Sequence, residues 1–420
     1  MATASQRIQF NWLLSRNRDL TYYIGSAIVG WIYVLLILMA IRLLHDPLKD
    51  AFATLSIAGL NLPLTLELLV IFSWAFLLDA PHLWGTLART FFDPDEWRQR
   101  KGVLIKSWGW FLVGPIMIVG PYLVASVGVD FSPETLVLGS IVFLVFFRLW
   151  AYYHVVRQHW GFFRLYKRKA NDFGHFSDRI DTWFFNLSLY LPLLIFMTST
   201  YFYKTPGFES IDLGLRTPIF PGGLSIGGIL YPILWMTYLL VILGYLAVQI
   251  HLYRKGSLLN GSKLLYMGLI VPLHLIAFSN PILVVFVTPI VTVGHNIQYH
   301  VIVYEFAKKK YTPSPKYRIT RFLFRNVLIY FLFGLVFTFL LYRGPFIEFI
   351  ETTTGLALDG LLFNSIGMMA GIRHPDQLNL GQKVFASFLL GWAMQHYYLD
   401  SKIWRVSKDK GLRKALDLDS

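Results

Sequence analysis

Ile141-Val142-Phe143-Leu144-Val145-Phe146-Phe147-Arg148-Leu149-Trp150-Ala151-Tyr152-Tyr153-His154-Val155-Val156-Arg157-Gln158-His159-Trp160 is the stretch on which the fold turns. Its first half is apolar and aromatic, broken only by Arg148. Its second half carries two histidines five residues apart. A run this apolar belongs in lipid or deep in a core, and the composition of the whole chain favours lipid. Of 420 residues, 55% are hydrophobic, 17% aromatic and 15% charged, and the mean hydropathy is +0.52. Soluble domains carry about 25% charged residues. Apolar runs long enough to cross a bilayer recur along the chain. The expected fold class is therefore all-α, a polytopic helical bundle integral to a membrane.

Outward from this stretch, the apolar runs predict ten spans, at about 22–44, 64–87, 105–127, 135–166, 182–203, 229–253, 264–278, 281–306, 323–341 and 384–404. Segment 355–372 is apolar but short and glycine-rich, with Asp359 and Asn364 inside it, and reads as re-entrant or interfacial. Lys and Arg gather after alternate spans: Arg89, Arg98, Arg100 and Lys101; Arg164 and Lys167; Arg254 and Lys255; Lys308, Lys309 and Lys310; Arg405, Arg413 and Lys414. Residues 128–133 and the turn at Asn280 carry neither. By the positive-inside rule, both termini, 1–21 and 405–420, are expected in the cytoplasm. The same bias explains the net charge of +14 without nucleic acid. The polar N-terminus lacks a signal-peptide core, so the first span is expected to be retained, and a bacterial inner membrane is the simplest location. No linker or low-complexity stretch divides the chain, which reads as one domain over 1–420. With no cysteine, disulfides, thiolate metal sites and cysteine nucleophiles are excluded.

Within this topology six histidines share one side. His82, His154, His159, His295, His300 and His396 all fall in the cytoplasmic half, or at the cytoplasmic end, of even-numbered spans. The second box, Gly294-His295-Asn296-Ile297-Gln298-Tyr299-His300, repeats the spacing of the first. Neutral imidazole suits iron, copper, zinc and nickel. His396 and Asp400 are four apart and share a helical face, as do Asp79 and His82, three apart. Positions i and i+5 are offset by about 140° on a regular helix. His154 and His159 can therefore serve one ion only if the helix loosens into a π-turn. Otherwise each serves a different ion. Pro81 is expected to kink the chain beside His82. These residues are expected to converge on one metal centre of His82, His154, His159, His295, His300, His396 and Asp400, with His251, His274 and Asp79 as further candidates. Asp400 and Asp79 read equally as ligands, acid–base groups or carboxylates orienting a ligand histidine. Gln158, Asn296, Gln298 and Gln395 stand beside the histidines as hydrogen-bond partners. For a lone histidine such as His45 or His175, the bland reading is an amphipathic interfacial residue.

His154-Val155-Val156-Arg157-Gln158-His159 resembles the first histidine box of the membrane-bound non-haem diiron oxygenases, the fatty acid desaturases and hydroxylases. His295 to His300 resembles their later boxes, although the chain has no adjacent histidine pair and more spans than a desaturase. The Pro81-His82 step is similar to one in the bacterial membrane oxygenases that cleave β-carotene. The resemblance covers short motifs. It implies an oxidoreductase with non-haem iron, single or as a diiron pair, that activates O2 against a lipid, isoprenoid or carotenoid substrate, with electrons from a soluble donor at the cytoplasmic face. Three other readings stay open: a haem protein with bis-histidine ligation, a metal or proton transporter, and a zinc hydrolase.

Overall fold

The computed structural model describes residues 8–57, 60–129, 131–205, 214–220, 223–343, 380–406 and 409–416. The predicted re-entrant segment 355–372 lies outside them. Of the described residues, 78% are helical. Its principal helices are α1 (Ala27–Leu43), α2 (Ala80–Thr90), α3 (Pro94–Ser107), α4 (Trp110–Ser126), α5 (Pro133–Lys169), α6 (His175–Thr198), α7 (Ile226–Arg254), α8 (Gly261–Ala277), α9 (Val287–Tyr311), α10 (Val327–Phe337), α11 (Leu380–Leu389) and α12 (Gly391–Ile403).

Six helical stretches among the described residues are long and apolar enough to cross a membrane. They are Arg16–Leu43, Glu67–Thr90, Pro94–Ser126, Leu138–Lys169, Phe176–Thr198 and Ile226–Arg254. A seventh is reached if Pro315–Leu323 and Val327–Tyr342, bent by 69°, form one span. The clearest case is α7, whose Met236, Leu239, Leu240 and Leu243 are all exposed. A helix apolar all round needs lipid or protein on every side. Elsewhere the helical boundaries differ from the apolar runs for local reasons. Ala51–Ile57 pairs antiparallel with Leu60–Thr65, so the second helical stretch begins only at Glu67. The last apolar run is interrupted between Leu389 and Gly391 and gives two short helices, α11 and α12.

The chain forms two compact units. The first comprises residues 1–66 and 155–295. In it α6 packs on α7 through Leu191, Ile195 and Tyr238. Phe184 stacks on Tyr245 at 3.8 Å. Close approach of α1 to α9 is set by glycine: a Cβ on Gly30 would lie 2.5 Å from the carbonyl oxygen of Ile290, and one on Gly294 would lie 3.2 Å from the Ala27 backbone. Small residues let helices approach in this way in membranes, where packing replaces the hydrophobic drive. At the end of α5 a buried ion cluster ties three helices. Lys167 and Lys263 both pair with Asp181, which also accepts from the Tyr245 hydroxyl at 2.9 Å. Asp172, in the loop after α5, lies 2.7 Å from Lys263. Burial pushes the Asp172 carboxyl up; the Lys263 ammonium outweighs that and holds it below its ordinary value.

The second unit comprises residues 67–154 and 296–420. Its core joins α4, α5, α11 and α12 through Ile118, Phe143, Leu390 and Met394. A Cβ on Gly391 would lie 2.7 Å from Phe111 Cα, and one on Gly334 would lie 2.9 Å from Pro81 Cβ, so α12 meets α4, and α10 meets α2, at close range. The chain enters α2 through two π-helical stretches, Glu67–Phe72 and Ala75–Asp79. The irregularity expected at Pro81 thus lies in wide turns just before it, and Pro81 follows them inside the continuous helical stretch Glu67–Thr90.

Candidate metal centre

Helix α2 places His82, Thr86 and Arg89 at successive turns of one face, and α12 does the same with His396, Asp400 and Ile403. These two faces meet in the second unit. Arg89 is fully buried at the far end, its Nη2 donating to the Ile403 carbonyl and its guanidinium lying 3.9 Å from the Trp404 ring and 4.3 Å from that of Phe306. One turn further in, the Thr86 hydroxyl lies 3.0 Å from Asp400 Oδ1 and 2.7 Å from His396 Nδ1. At the next turn His82 Nε2 lies 3.0 Å from His396 Nε2. From α5, the His154 ring approaches that of His396 with centroids 5.0 Å apart, and lies tilted against Tyr397 with centroids 4.3 Å apart. His82, His154, His396 and Asp400 are all buried. His154, His396 and Asp400 each offer a ligand atom, all within 4.8 Å of one another, and no other such group occurs among the described residues.

The hydrogen bonds fix which nitrogen of His82 carries its proton. His82 Nδ1 faces the Asp79 carbonyl oxygen, which can only accept. The proton is therefore on Nδ1, and Nε2 carries the lone pair. Asp400 Oδ1 lies 3.0 Å from the Thr86 hydroxyl and 2.8 Å from the Tyr299 hydroxyl, and the two hydroxyls also touch each other. The single Thr86 proton can go to Asp400, to Tyr299 or to His396 Nδ1, so His396 has two tautomers open to it. In one, His396 Nε2–H donates to His82 Nε2. In the other, Thr86 accepts from His396 Nδ1–H, the two Nε2 lone pairs face each other, and a cation between them removes their repulsion. The spacing fits that arrangement: nitrogens about 2.0–2.1 Å from one ion, at right angles, stand about 2.9 Å apart. The residues present fit a metal ion through the two imidazoles and one carboxylate of His154, His396 and Asp400, with His82 Nε2 beside His396 Nε2.

Around this group the partners are arranged in depth. Arg343 pairs with the Asp79 carboxylate at 2.8 Å, and the Asn296 side chain also reaches it. Asp79 thus serves His82 through its backbone and holds an ion pair with its side chain. His300 does not join the ligands. Its Nε2 lies 3.2 Å from the Leu78 carbonyl and its Nδ1 2.9 Å from the Tyr330 hydroxyl, so both nitrogens are used. Gln395 donates to the Ser107 hydroxyl at 3.0 Å. Thr86, Tyr299 and Arg343 are absent from the sequence-based candidates. Thr86 carries a readable signal, four residues after His82 on the same helical face. Tyr299 stands inside the quoted second box. Arg343 carries none.

The other candidates belong to the first unit. His159, His274 and His295 come from α5, α8 and α9 and are buried there. Their rings gather around His159, with centroids 5.6 Å to His274 and 6.3 Å to His295. His159 Nδ1 lies 2.8 Å from the Tyr266 hydroxyl and its Nε2 3.4 Å from the Val291 carbonyl. No carboxylate joins them among the described contacts, and their ligand atoms do not converge as those of the second unit do. His251 ends α7 exposed. Within each unit, then, the described contacts bring His82, His154 and His396 to Asp400, and His274 and His295 to His159. Helix α5 stays α-helical through both histidines of its box, without the π-turn that a shared ion requires. Each H-x4-H box therefore gives one histidine to each unit. No protein-family model, curated protein or solved structure matches this chain.

Proposed function

We propose that His82, His154, His396 and Asp400 hold one metal ion, and that the protein is a membrane-embedded non-haem iron oxidoreductase that uses O2 on a lipid, isoprenoid or carotenoid substrate. The observation that carries the metal reading is the convergence of ligand atoms of His154, His396 and Asp400 within 4.8 Å of one another, with His82 Nε2 3.0 Å from His396 Nε2. Iron is favoured by the donor set, imidazole with a carboxylate and no sulfur, and by the resemblance of the first box to the diiron oxygenases. When bound, ferrous iron supplies O2 activation. The residues of the chain do the rest. The imidazoles and Asp400 bind the ion, Asp79 and Thr86 orient the two facing histidines, and the buried Tyr299 with the half-buried Tyr397 and Trp404 restricts access of water.

The finer topology belongs to the same proposal: ten spans, both termini cytoplasmic, and the site near the cytoplasmic side of a bacterial inner membrane, where a soluble donor delivers electrons. A bis-histidine haem is disfavoured for His82 and His396. Axial ligands on opposite faces of one haem iron stand about 4 Å apart, with the macrocycle between them. Elemental analysis and an absorption spectrum on detergent-purified protein test the reading. Iron without a haem band, followed by O2 consumption on feeding lipids or carotenoids, is the expected result. A haem band redirects the assignment to haem chemistry and zinc alone redirects it to hydrolysis. Metal-dependent uptake into proteoliposomes without O2 would make the protein a transporter.

A further inference from the structure

We propose that Thr86 and Tyr299 are positioning residues that hold Asp400 to the ion through a single oxygen and so keep a coordination position open for a small exogenous ligand. This rests on the metal reading above. A carboxylate can bind a metal through one oxygen or through both, and the second mode fills an adjacent position. At Asp400 the two oxygens have different surroundings. Oδ1 takes hydroxyls from two helices, Thr86 of α2 at 3.0 Å and Tyr299 of α9 at 2.8 Å. Oδ2 is the oxygen turned toward the histidines, 3.6 Å from His396 Nε2. Thr86 and Tyr299 are buried, at 0% and 2% exposure, so neither hydroxyl can exchange Asp400 for bulk water. Turning the carboxylate to present both oxygens would take Oδ1 away from both hydroxyls and leave them only each other and His396 Nδ1.

Two further contacts stiffen the arrangement. Thr86 also lies 2.7 Å from His396 Nδ1, so one hydroxyl bonds to two of the proposed ligands. Trp404 Nε1 lies 3.4 Å from the Tyr299 oxygen and holds the phenol from behind. Three imidazoles and one carboxylate oxygen occupy four positions. An ion that takes five or six ligands then keeps room beside them.

Azide titration of the Co2+-loaded full-length protein in detergent, followed by the visible cobalt bands, tests the proposal without any turnover. The wild type is expected to bind Co2+ and then azide. Tyr299→Phe and Thr86→Val are expected to keep Co2+ to within about tenfold in affinity while azide binding falls by about tenfold or more. Thr86→Ser, which restores the hydroxyl, should titrate like the wild type. Azide binding at wild-type strength in Co2+-loaded Tyr299→Phe and Thr86→Val would overturn the proposal. So would loss of Co2+ itself from both variants, because the two residues would then be holding the ligands rather than an open position. A wild type that takes up no Co2+, or a His396→Ala variant that takes up as much, would instead bring down the metal reading, and this inference with it.

Discussion

Each unit buries a cluster of histidines, and the two clusters differ in what stands behind the rings. In the second unit, the outer nitrogen of His82 is turned to the Asp79 carbonyl and that of His396 to the Thr86 hydroxyl, which also reaches Asp400. Their inner nitrogens face each other 3.0 Å apart beside a carboxylate. In the first unit, His159 spends one nitrogen on the Tyr266 hydroxyl and the other on the Val291 carbonyl. On the proposed reading the first arrangement holds a cation, whereas His159 is a hydrogen-bonded packing element. Residue type is the same in both. The partners of the second nitrogen decide whether a buried histidine is a ligand or a strut.

That contrast can be broken most severely at a ligand. His82→Ala should lower the affinity for Co2+ or Zn2+ by on the order of a hundredfold or more, as read by equilibrium dialysis. An unchanged affinity would place the ion elsewhere. Next in size is Arg343→Met, which leaves the Asp79 carboxylate buried without its 2.8 Å partner. A cost of about 3–5 kcal/mol in unfolding free energy is expected. Because Asp79 holds His82 through its backbone, metal affinity should fall along with stability. Stability lost with metal binding intact would show that the ion pair and the site are independent. In the other unit, His159→Phe should cost about 1–3 kcal/mol from the unmet Tyr266 and Val291 groups, with metal content unchanged. Loss of metal from this variant would erase the distinction between the clusters.

The smallest effect concerns the ion cluster at the end of α5. The Asp172 carboxyl is held below its ordinary value by Lys263, against the opposing effect of burial. A carboxyl with a depressed pKa contributes stability above its unfolded value, about 3.9, and loses it as pH falls through the folded value. Asp172→Asn should therefore melt below the wild type near neutral pH, and the gap should close below about pH 4. A gap that persists there would assign the effect to packing rather than charge.

Much of this was legible in the sequence, and the parts that were not have physical causes. Long apolar runs such as 226–254 declare themselves as helices for lipid because every face is apolar. The interrupted ones do not: the break between Leu389 and Gly391 changes backbone geometry without changing hydropathy. The 140° offset at i and i+5 already implied that His154 and His159 diverge, and they do, one to each unit. Helical spacing joined His396 to Asp400 and could have joined His82 to Thr86. Nothing in spacing reveals that α2 and α12, more than three hundred residues apart, lie face to face, or that Arg343 covers Asp79. Those contacts depend on long-range packing, set by close approaches such as Gly391 against Phe111.

The most direct test of the central claim is metal content, measured by elemental analysis after identical reconstitution, across single alanine variants of both clusters. His154→Ala and His396→Ala should lose the bound ion, while His274→Ala and His295→Ala, purified folded, should retain it at the wild-type level. Retention by the first pair, or loss by the second, would contradict the assignment of the metal centre to His82, His154, His396 and Asp400.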